Sequence, residues 1–492
     1  MIPFFMRIRT LIFILIFPLG AWSQQIRFTP DLKLAFGKMA ELRFQEAEDL
    51  IAREEQRNPD NLALAYMRGA LLTVGLFISE SESEFEDNQS QLESYISTLE
   101  KAPDSDPQKG FMISQLRLGM AILHGRFRNN FSAGWQFYKA YNLLENNYKV
   151  FPQYKPGYVP LGVLYVAIGS LPDGYQSIAS IIGIKGDVKK GMELIRKGYY
   201  GIQKEEENRF YRDYFGFIYS YISLELSDDN SVSPESLGLN VRTSSYLRYM
   251  QARVEVDRGN ARKALDILKT RPRGDGYQHF GYLDYYTGRM ALAFSPDTAY
   301  QYLHKYLKEN STGNYRKSTY RYLSWYAMLI DDKSLIREYR QKVMREGTLN
   351  TGADKQAYRE AQEPFNEILI KGRIYFDGGL YSKAAKYLLS RESMLDQFGN
   401  ADKLEFYYRL GRVFQESEES DKAIVYFKKA LEIPVKESTF SQGNAALQLA
   451  SVWEKKGNKA EARKYYEKTL SYKGFPFYEG LHQKAKAGLN RI

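Results

Sequence analysis

No stretch of the chain alternates apolar and polar residues with the period of a strand over any length. Apolar residues instead return at helical spacing, in paired runs separated by short turns. Residues 444–470 (NAALQLASVWEKKGNKAEARKYYEKTL) place Leu449, Ala450, Trp453, Gly457, Ala462, Tyr466 and Thr469 at fixed offsets. Residues 405–431 repeat them with Leu410, Gly411, Phe414, Ala423, Phe427 and Ala430, and Pro434 follows. Residues 366–390 give Gly372, Tyr375, Gly379, Ala384 and Leu388; the alanines 384, 423 and 462 are spaced by 39 and 39 residues. Small residues at matching places let two helices approach closely, and the aromatics fill the space between successive hairpins. Gly457 suits a left-handed turn that ends a first helix, and Pro434 stops a second one. The chain is expected to be all-α.

This pattern resembles the tetratricopeptide repeat, a helix, a tight turn and a second helix stacked in series. The resemblance implies a right-handed α-solenoid. The same offsets recur with more decay over 34–59 (Ala35, Leu42, Ala47, Ile51, then Asn58-Pro59-Asp60), 246–268, 281–307 and 316–345. The turns Ser295-Pro296-Asp297 and Asp331-Asp332 fall between helices. That makes seven hairpins with a usable signal. Two or three longer, irregular helix pairs are expected between 61 and 226. The organisation predicted is a divergent helical region over 24–226, with an insertion at about 170–187, and a C-terminal solenoid over 246–492.

The insertion lies in the most unusual stretch, residues 157–200. Gly162, Tyr165 and Gly169 fit a first helix, and Gly191 and Leu194 a second. Between them come Leu171-Pro172, an apolar run with Ile178, Ile181 and Ile182, and Gly183-Ile184-Lys185-Gly186-Asp187. This segment resembles the central motif of the eukaryotic tetratricopeptide group that includes the inclusion-body clearance protein of the mitochondrial surface, with Ile184 where that group has Phe. The resemblance implies an adaptor role and carries no catalytic residue. A phosphate loop is not indicated, since the preceding strand and the Gly-Lys-Ser/Thr ending are missing. Asp187 is expected to cap the helix that starts at Val188.

The N-terminus has the three parts of a secretory signal peptide: Arg7 and Arg9, the apolar run Leu11–Leu19, and Ala21-Trp22-Ser23. Residues 1–23 are therefore expected to be removed, leaving no transmembrane helix. The apolar run is too short to span a bilayer, which takes about 20 residues. An exported protein of the periplasm or cell envelope is expected. The chain has no cysteine, so it is not a lipoprotein, a disulfide scaffold or a thiol enzyme. The mature Gln24-Gln25 start and the Tyr/Asn/Lys-rich style resemble Bacteroidetes envelope proteins.

Charge is uneven. Residues 24–110 carry 9 Lys and Arg against 17 Asp and Glu, and residues 111–200 carry 11 against 4. No dense basic run or nucleic-acid motif appears, so no nucleic-acid partner is expected. The acidic cluster Glu80, Glu82, Glu84, Glu86, Asp87 lacks the glycine-bearing loop of a calcium hand and reads as a solvated helix start. The four histidines (124, 279, 304, 482) form no metal-ligand frame, and no Gly-x-Ser-x-Gly elbow occurs. No catalytic residue, metal or cofactor is expected.

What remains is binding. In a stack of such hairpins the first helices line a concave groove. The offsets that face it give Asn366, Arg373 and Phe376, then Tyr408, Arg412 and Gln415, then Asn444, Ser451 and Lys455. Aromatic and Arg/Asn side chains of this kind suit recognition. The expected function is an exported scaffold or adaptor that binds a protein or peptide partner in its groove. The alternative is a glycan-binding or nutrient-uptake accessory of the outer membrane, resembling helical partners of importers that are themselves lipoproteins.

Overall fold

The computed structural model describes residues 25–171, 183–227 and 229–492. The expected signal peptide and the centre of the expected insertion, residues 172–182, lie outside the described residues. Among those described, every regular element is helical, and no helix is long and apolar enough to cross a membrane.

Helices pair in sequence. Pro30–Ala40 packs on Phe44–Arg57, Ala63–Ser79 on Glu82–Leu99, Pro107–Arg126 on Asn130–Val150, and Tyr158–Gly169 on Val188–Ile202. After the single helix Arg212–Leu226 the pairing resumes. Ser245–Asp257 packs on Ala261–Lys269, Tyr282–Ala291 on Pro296–Glu309, and Arg316–Leu329 on Lys333–Arg345. Then come Glu367–Asp377 on Tyr381–Leu389, Asn400–Glu416 on Ser420–Glu432, and Phe440–Lys455 on Lys459–Ser471. Gly352–Gln362 is an extra helix against Arg316–Leu329, and Tyr478–Arg491 covers the C-terminal end.

The small residues sit where helices touch. Ala384, Ala423 and Ala462 are fully buried. A Cβ on Gly372 would lie 2.8 Å from Leu388 and one on Gly411 2.5 Å from Phe427, so neither site has room for a side chain. The hairpin turns share one geometry. Gly259, Asp331, Gly379, Glu418 and Gly457 each take a left-handed φ between 60° and 78°. The next N–H then donates to a carbonyl five residues back, as from Asn260 to Glu255 (2.7 Å) and from Asn458 to Trp453 (3.0 Å). That bond satisfies carbonyls the helix end would otherwise leave open.

Between 61 and 226, where two or three longer, irregular helix pairs are expected, the described helices form three pairs, as far as residue 202. These helices run to 20 residues at Pro107–Arg126 and 21 at Asn130–Val150. Those lengths shift the repeat offsets, which is why the pairs there do not show the repeat spacing. Gly162 and Gly191 do what the resemblance implied: a Cβ on either would lie 2.6 Å from the other's carbonyl oxygen, so the two helix backbones are in contact. Asp187 caps Val188–Ile202, its carboxylate accepting from Lys190 N (2.9 Å). The acidic cluster is a helix start, with Ser81 as the cap. Glu80 departs from the expectation. It is buried and ion-paired with Arg126, because the chain curls back over it.

That curl brings distant segments together. Gln278 N donates to Leu42 O (2.7 Å), and Ser244 Oγ to Ala40 O (3.1 Å). Arg128 reaches the Leu349 carbonyl, and Gln483 Nε2 the Ser170 carbonyl (2.6 Å). The turn at Gly379 lies on the turn at Gly259: a Cβ at 379 would be 2.3 Å from the Gly259 oxygen. The superhelix is therefore tight across its middle.

Candidate functional site

First helices of successive hairpins pack on one another: Ala63–Ser79 on Pro107–Arg126, Glu367–Asp377 on Asn400–Glu416, and Asn400–Glu416 on Phe440–Lys455. Successive second helices do not approach comparably, so the first helices form the inner, crowded face. Side chains three or four residues apart project along it together. The inner row runs through Tyr286 and Arg289, then Arg321, Tyr322 and Trp325, then Arg373, Phe376 and Asp377. It continues through Tyr408, Arg412 and Gln415 to Asn444 and Gln448.

The middle of this row is a charged aromatic cluster. Arg321 Nη1 lies 3.2 Å and Arg373 Nη1 3.0 Å from the two oxygens of Glu360, and Arg373 Nε lies 3.8 Å from Asp377. Arg321 and Arg373 also lie over the Trp325 ring, at 5.4 and 5.1 Å from its centroid. Arg321 stacks over Tyr322 at 4.7 Å, and Arg289 lies 5.9 Å from the same ring. Burial pushes the Tyr322 phenol up, but the guanidiniums of Arg289, Arg321 and Arg373 outweigh it and leave it below the usual range. Glu360 behaves likewise: burial raises its carboxyl, while Arg321 and Arg373 bring it down to about 2.

A carboxylate held below its ordinary value stabilises the folded state above that value and loses the contribution as pH falls. Glu360 is therefore expected to lower the melting temperature between pH 4.5 and pH 2 as it is protonated. Glu360→Gln should melt lower at neutral pH and show a shallower decline over that window. A parallel decline in both proteins would refute the assignment.

Between these side chains is a cavity of about 10 Å³, lined by Arg289, Met290, Leu292, Ala293, Tyr322, Trp325, Ile374, Asp377 and Gly378. That is room for about one water. Elsewhere, His279, Asp284 and Glu309 bring ligand-type atoms within 4.8 Å of one another. Arg271 already holds Asp284, and Lys305 Nζ stands 3.1 Å from it, so two resident cations occupy the place a metal would take.

Residues 404–434, the hairpin of Asn400–Glu416 and Ser420–Glu432, match the family model of the tetratricopeptide repeat. The chain carries a tetratricopeptide repeat. No curated protein matches the chain. Among solved structures it is similar to a human IFIT1 dimer with m7Gppp-AAAA, at 14% identity and a TM-score of 0.30, covering 92% of this chain and 97% of that one. It is also similar to the APC/C hetero-tetramer Cut9–Hcn1, at 12% identity and a TM-score of 0.24, covering 95% and 99%. Scores this low carry nothing about ligands from one chain to another.

The tetratricopeptide hairpins place the nine expected groove residues unequally. Arg373, Phe376 and Arg412 come together on the inner face, with Arg412 5.3 Å over the Phe376 ring and bonded to Glu416 (2.9 Å). Gln415 Nε2 donates to Gln448 (2.9 Å), Gln448 to Asn444 (3.2 Å), and Asn444 to the Tyr408 hydroxyl (2.6 Å). This ladder buries Tyr408 and Asn444, which therefore position the face instead of meeting a partner directly. Asn366 is taken up as a cap, accepting from Ile368 N and Leu369 N and donating to Asp402. Ser451 is half-buried and Lys455 exposed, farther along the same helix. Arg289, Arg321, Trp325 and Gln448 were missed. The first three fall in the repeats at 281–307 and 316–345, and reading groove offsets there as well would have pointed to them.

Proposed function

We propose that this chain is an exported scaffold of the bacterial cell envelope that binds a protein or peptide partner along its inner face and performs no chemistry. One observation carries the reading: the first helices present a row of Arg, aromatic and amide side chains in which Arg289, Arg373, Phe376, Arg412, Gln415 and Gln448 are half-buried, set among the buried Arg321, Trp325, Tyr408 and Asn444. Such side chains combine contact area with directional hydrogen bonds. The cavity in that row is too small to enclose an organic substrate, so recognition falls to the surface of the row. Glu360 and Asp377 interleave with the arginines, which disfavours a phosphate backbone and favours a protein. No catalytic residue, cofactor or metal is assigned.

The test is crosslinking in the native envelope followed by mass spectrometry. A defined envelope protein is expected with the wild-type chain, and its yield should fall at least about tenfold in Phe376→Ala/Arg412→Ala, the equivalent of about 1.4 kcal/mol. Capture unchanged by that variant would move the partner off the inner face.

A second reading, as a glycan-binding accessory, is favoured by a different surface. Trp135 and Tyr138 stack at 5.7 Å and 17° on the outer helix Asn130–Val150, beside Phe131, which is 87% exposed. Flat exposed rings of this kind suit stacking on a sugar. Binding on a glycan array, lost in Trp135→Ala, together with no co-purifying envelope protein, would replace the scaffold reading.

A further inference from the structure

The outer helix Asn130–Val150 turns one stripe of side chains away from the fold. Phe131, Trp135, Tyr138, Asn142 and Lys149 follow one another at steps of three, four or seven residues, which keeps them on a single helix face. Phe131 is 87% exposed and Trp135 51%. Neither joins the core beneath, where Tyr138, Tyr141 and Leu144 pack. Lys139 leans over the Trp135 ring, its Nζ 5.2 Å from the centroid. The ground beside the stripe is basic. The Tyr141 hydroxyl accepts from Lys185 N (3.2 Å), which sets the start of Val188–Ile202 one turn from Tyr138. Over residues 128–149 and 183–204, nine Lys and Arg stand against three carboxylates. Those three are engaged locally: Glu145 accepts from the Tyr165 hydroxyl, Asp187 caps its helix, and Glu193 pairs with Lys197 (2.6 Å). Lys185 and Lys189 are exposed.

We propose that this outer stripe seats the chain on an anionic membrane surface, with Phe131 and Trp135 entering the interface and the flanking lysines meeting lipid phosphates. Exposed apolar side chains rimmed by polar ones mark a protein or membrane contact. Aromatic rings settle at the boundary of a bilayer, and lysine stems lie along it with their charge in water. No described helix is long and apolar enough to cross a membrane, so the contact is with the surface alone. The second reading gives the same rings to a sugar, but a sugar needs hydrogen-bonding groups beside them. Phe131 has none, no carboxylate lies on the stripe, and Gln136, the amide next to Trp135, is buried and bonded to Arg117 and Glu93. A second copy of the chain is disfavoured too, since a two-fold contact would set basic ground against basic ground. An anionic bilayer meets both the rings and the charge.

The test uses the chain from Gln24 onward, free of the apolar run Leu11–Leu19 that would bind lipid by itself. The probes are vesicles of phosphatidylcholine alone, and vesicles of phosphatidylcholine and phosphatidylglycerol in about equal parts. Flotation should show binding at least about tenfold tighter to the anionic vesicles, weakening as salt is added. Phe131→Ser/Trp135→Ser should lose about tenfold or more. Lys185→Gln/Lys189→Gln should lose a comparable amount on anionic vesicles and nothing on neutral ones. These side chains are exposed, so melting temperatures should be unchanged. Lipid brominated in its acyl chains should quench the fluorescence of Trp135, and the quenching should vanish in Trp135→Phe, which keeps a ring and therefore keeps the binding.

Equal binding of neutral and anionic vesicles, or binding of neither, would overturn the proposal. So would full affinity in either double variant, or quenching that survives in Trp135→Phe. A glycan bound in place of vesicles and lost in Trp135→Ala would give the surface to a sugar. A wild-type dimer that becomes a monomer in Phe131→Ser/Trp135→Ser would give it to a second copy; each of these results also overturns the proposal. The proposal goes beyond the scaffold reading and concerns the outer face, so its failure leaves the inner-face reading to its own test.

Discussion

Replacing Gly191 by valine is expected to open the hairpin of Tyr158–Gly169 and Val188–Ile202. A Cβ at 191 would lie 2.6 Å from the Gly162 oxygen, 2.7 Å from Val166 Cγ2 and 2.8 Å from Val166 N. Two of these three atoms are backbone, so no rotamer change relieves the clash and the helices must separate. Separation uncovers Val159, Val166, Ile195 and Tyr199, all buried now. Overpacking alone costs about 1–3 kcal/mol, and the lost burial adds to it, so a total of about 3–5 kcal/mol is expected. Because a repeat chain loses stability locally before it does so as a whole, the sharpest readout is hydrogen exchange. Amide protection should collapse over Tyr158–Gly169 and Val188–Ile202 and persist at 400–471. Gly134→Ala is the control: nothing lies within 4 Å of that site, inside a helix. It should stabilise by about 0.5–1 kcal/mol through propensity. Retained protection in these two helices in Gly191→Val would show that the backbones are not in contact.

The second large effect is expected at Asp284, a carboxylate 1% exposed at the centre of three groups. It is ion-paired with Arg271 and Lys305 and lies 3.4 Å from His279 Nε2. Burial pushes its carboxyl up, but His279, Arg271 and Lys305 together hold it below the usual value. Asp284→Ala leaves Arg271 buried with only the Leu268 carbonyl (2.8 Å) and the Thr287 hydroxyl (3.2 Å) as acceptors. Breaking a buried pair from one side costs about 3–5 kcal/mol. Removing both charges together, in Asp284→Leu/Arg271→Met, should recover most of that loss, because an apolar pair leaves no charge unpaired. Urea midpoints of the three proteins decide the matter; a double variant as unstable as Asp284→Ala would mean that the cost is packing and not charge.

Several features of the fold were legible from residue spacing because they are local. Gly457 in its left-handed turn, Asp187 as a cap, and the buried alanines at 384, 423 and 462 each depend on a few neighbouring residues. The same holds for the hairpin at 404–434, where the family match falls. The hairpins of 63–150 were legible only as longer, irregular helix pairs, since helices of 17 to 21 residues displace the offsets that identify a unit. In the candidate site, Arg373, Phe376 and Arg412 could be read in advance, because the inner face of a hairpin follows from helix periodicity. The fates of Asn366, Tyr408 and Asn444 could not. Whether an amide faces a partner, caps a helix or bonds a neighbouring hydroxyl depends on what the next hairpin brings within about 3 Å.

By itself, the sequence determined the all-helical class, the pairing of helices and the face each first helix turns inward, all consequences of a period of 3.6 residues and of small residues at fixed places. Only the tertiary structure decided how tightly the superhelix closes. That closure buries Glu80 against Arg126, sets the turn of Gly379 on that of Gly259, and reduces the inner cavity to the size of a water. Curvature is the sum of small rotations between hairpins, and each rotation is set by side-chain packing across interfaces that no local spacing encodes.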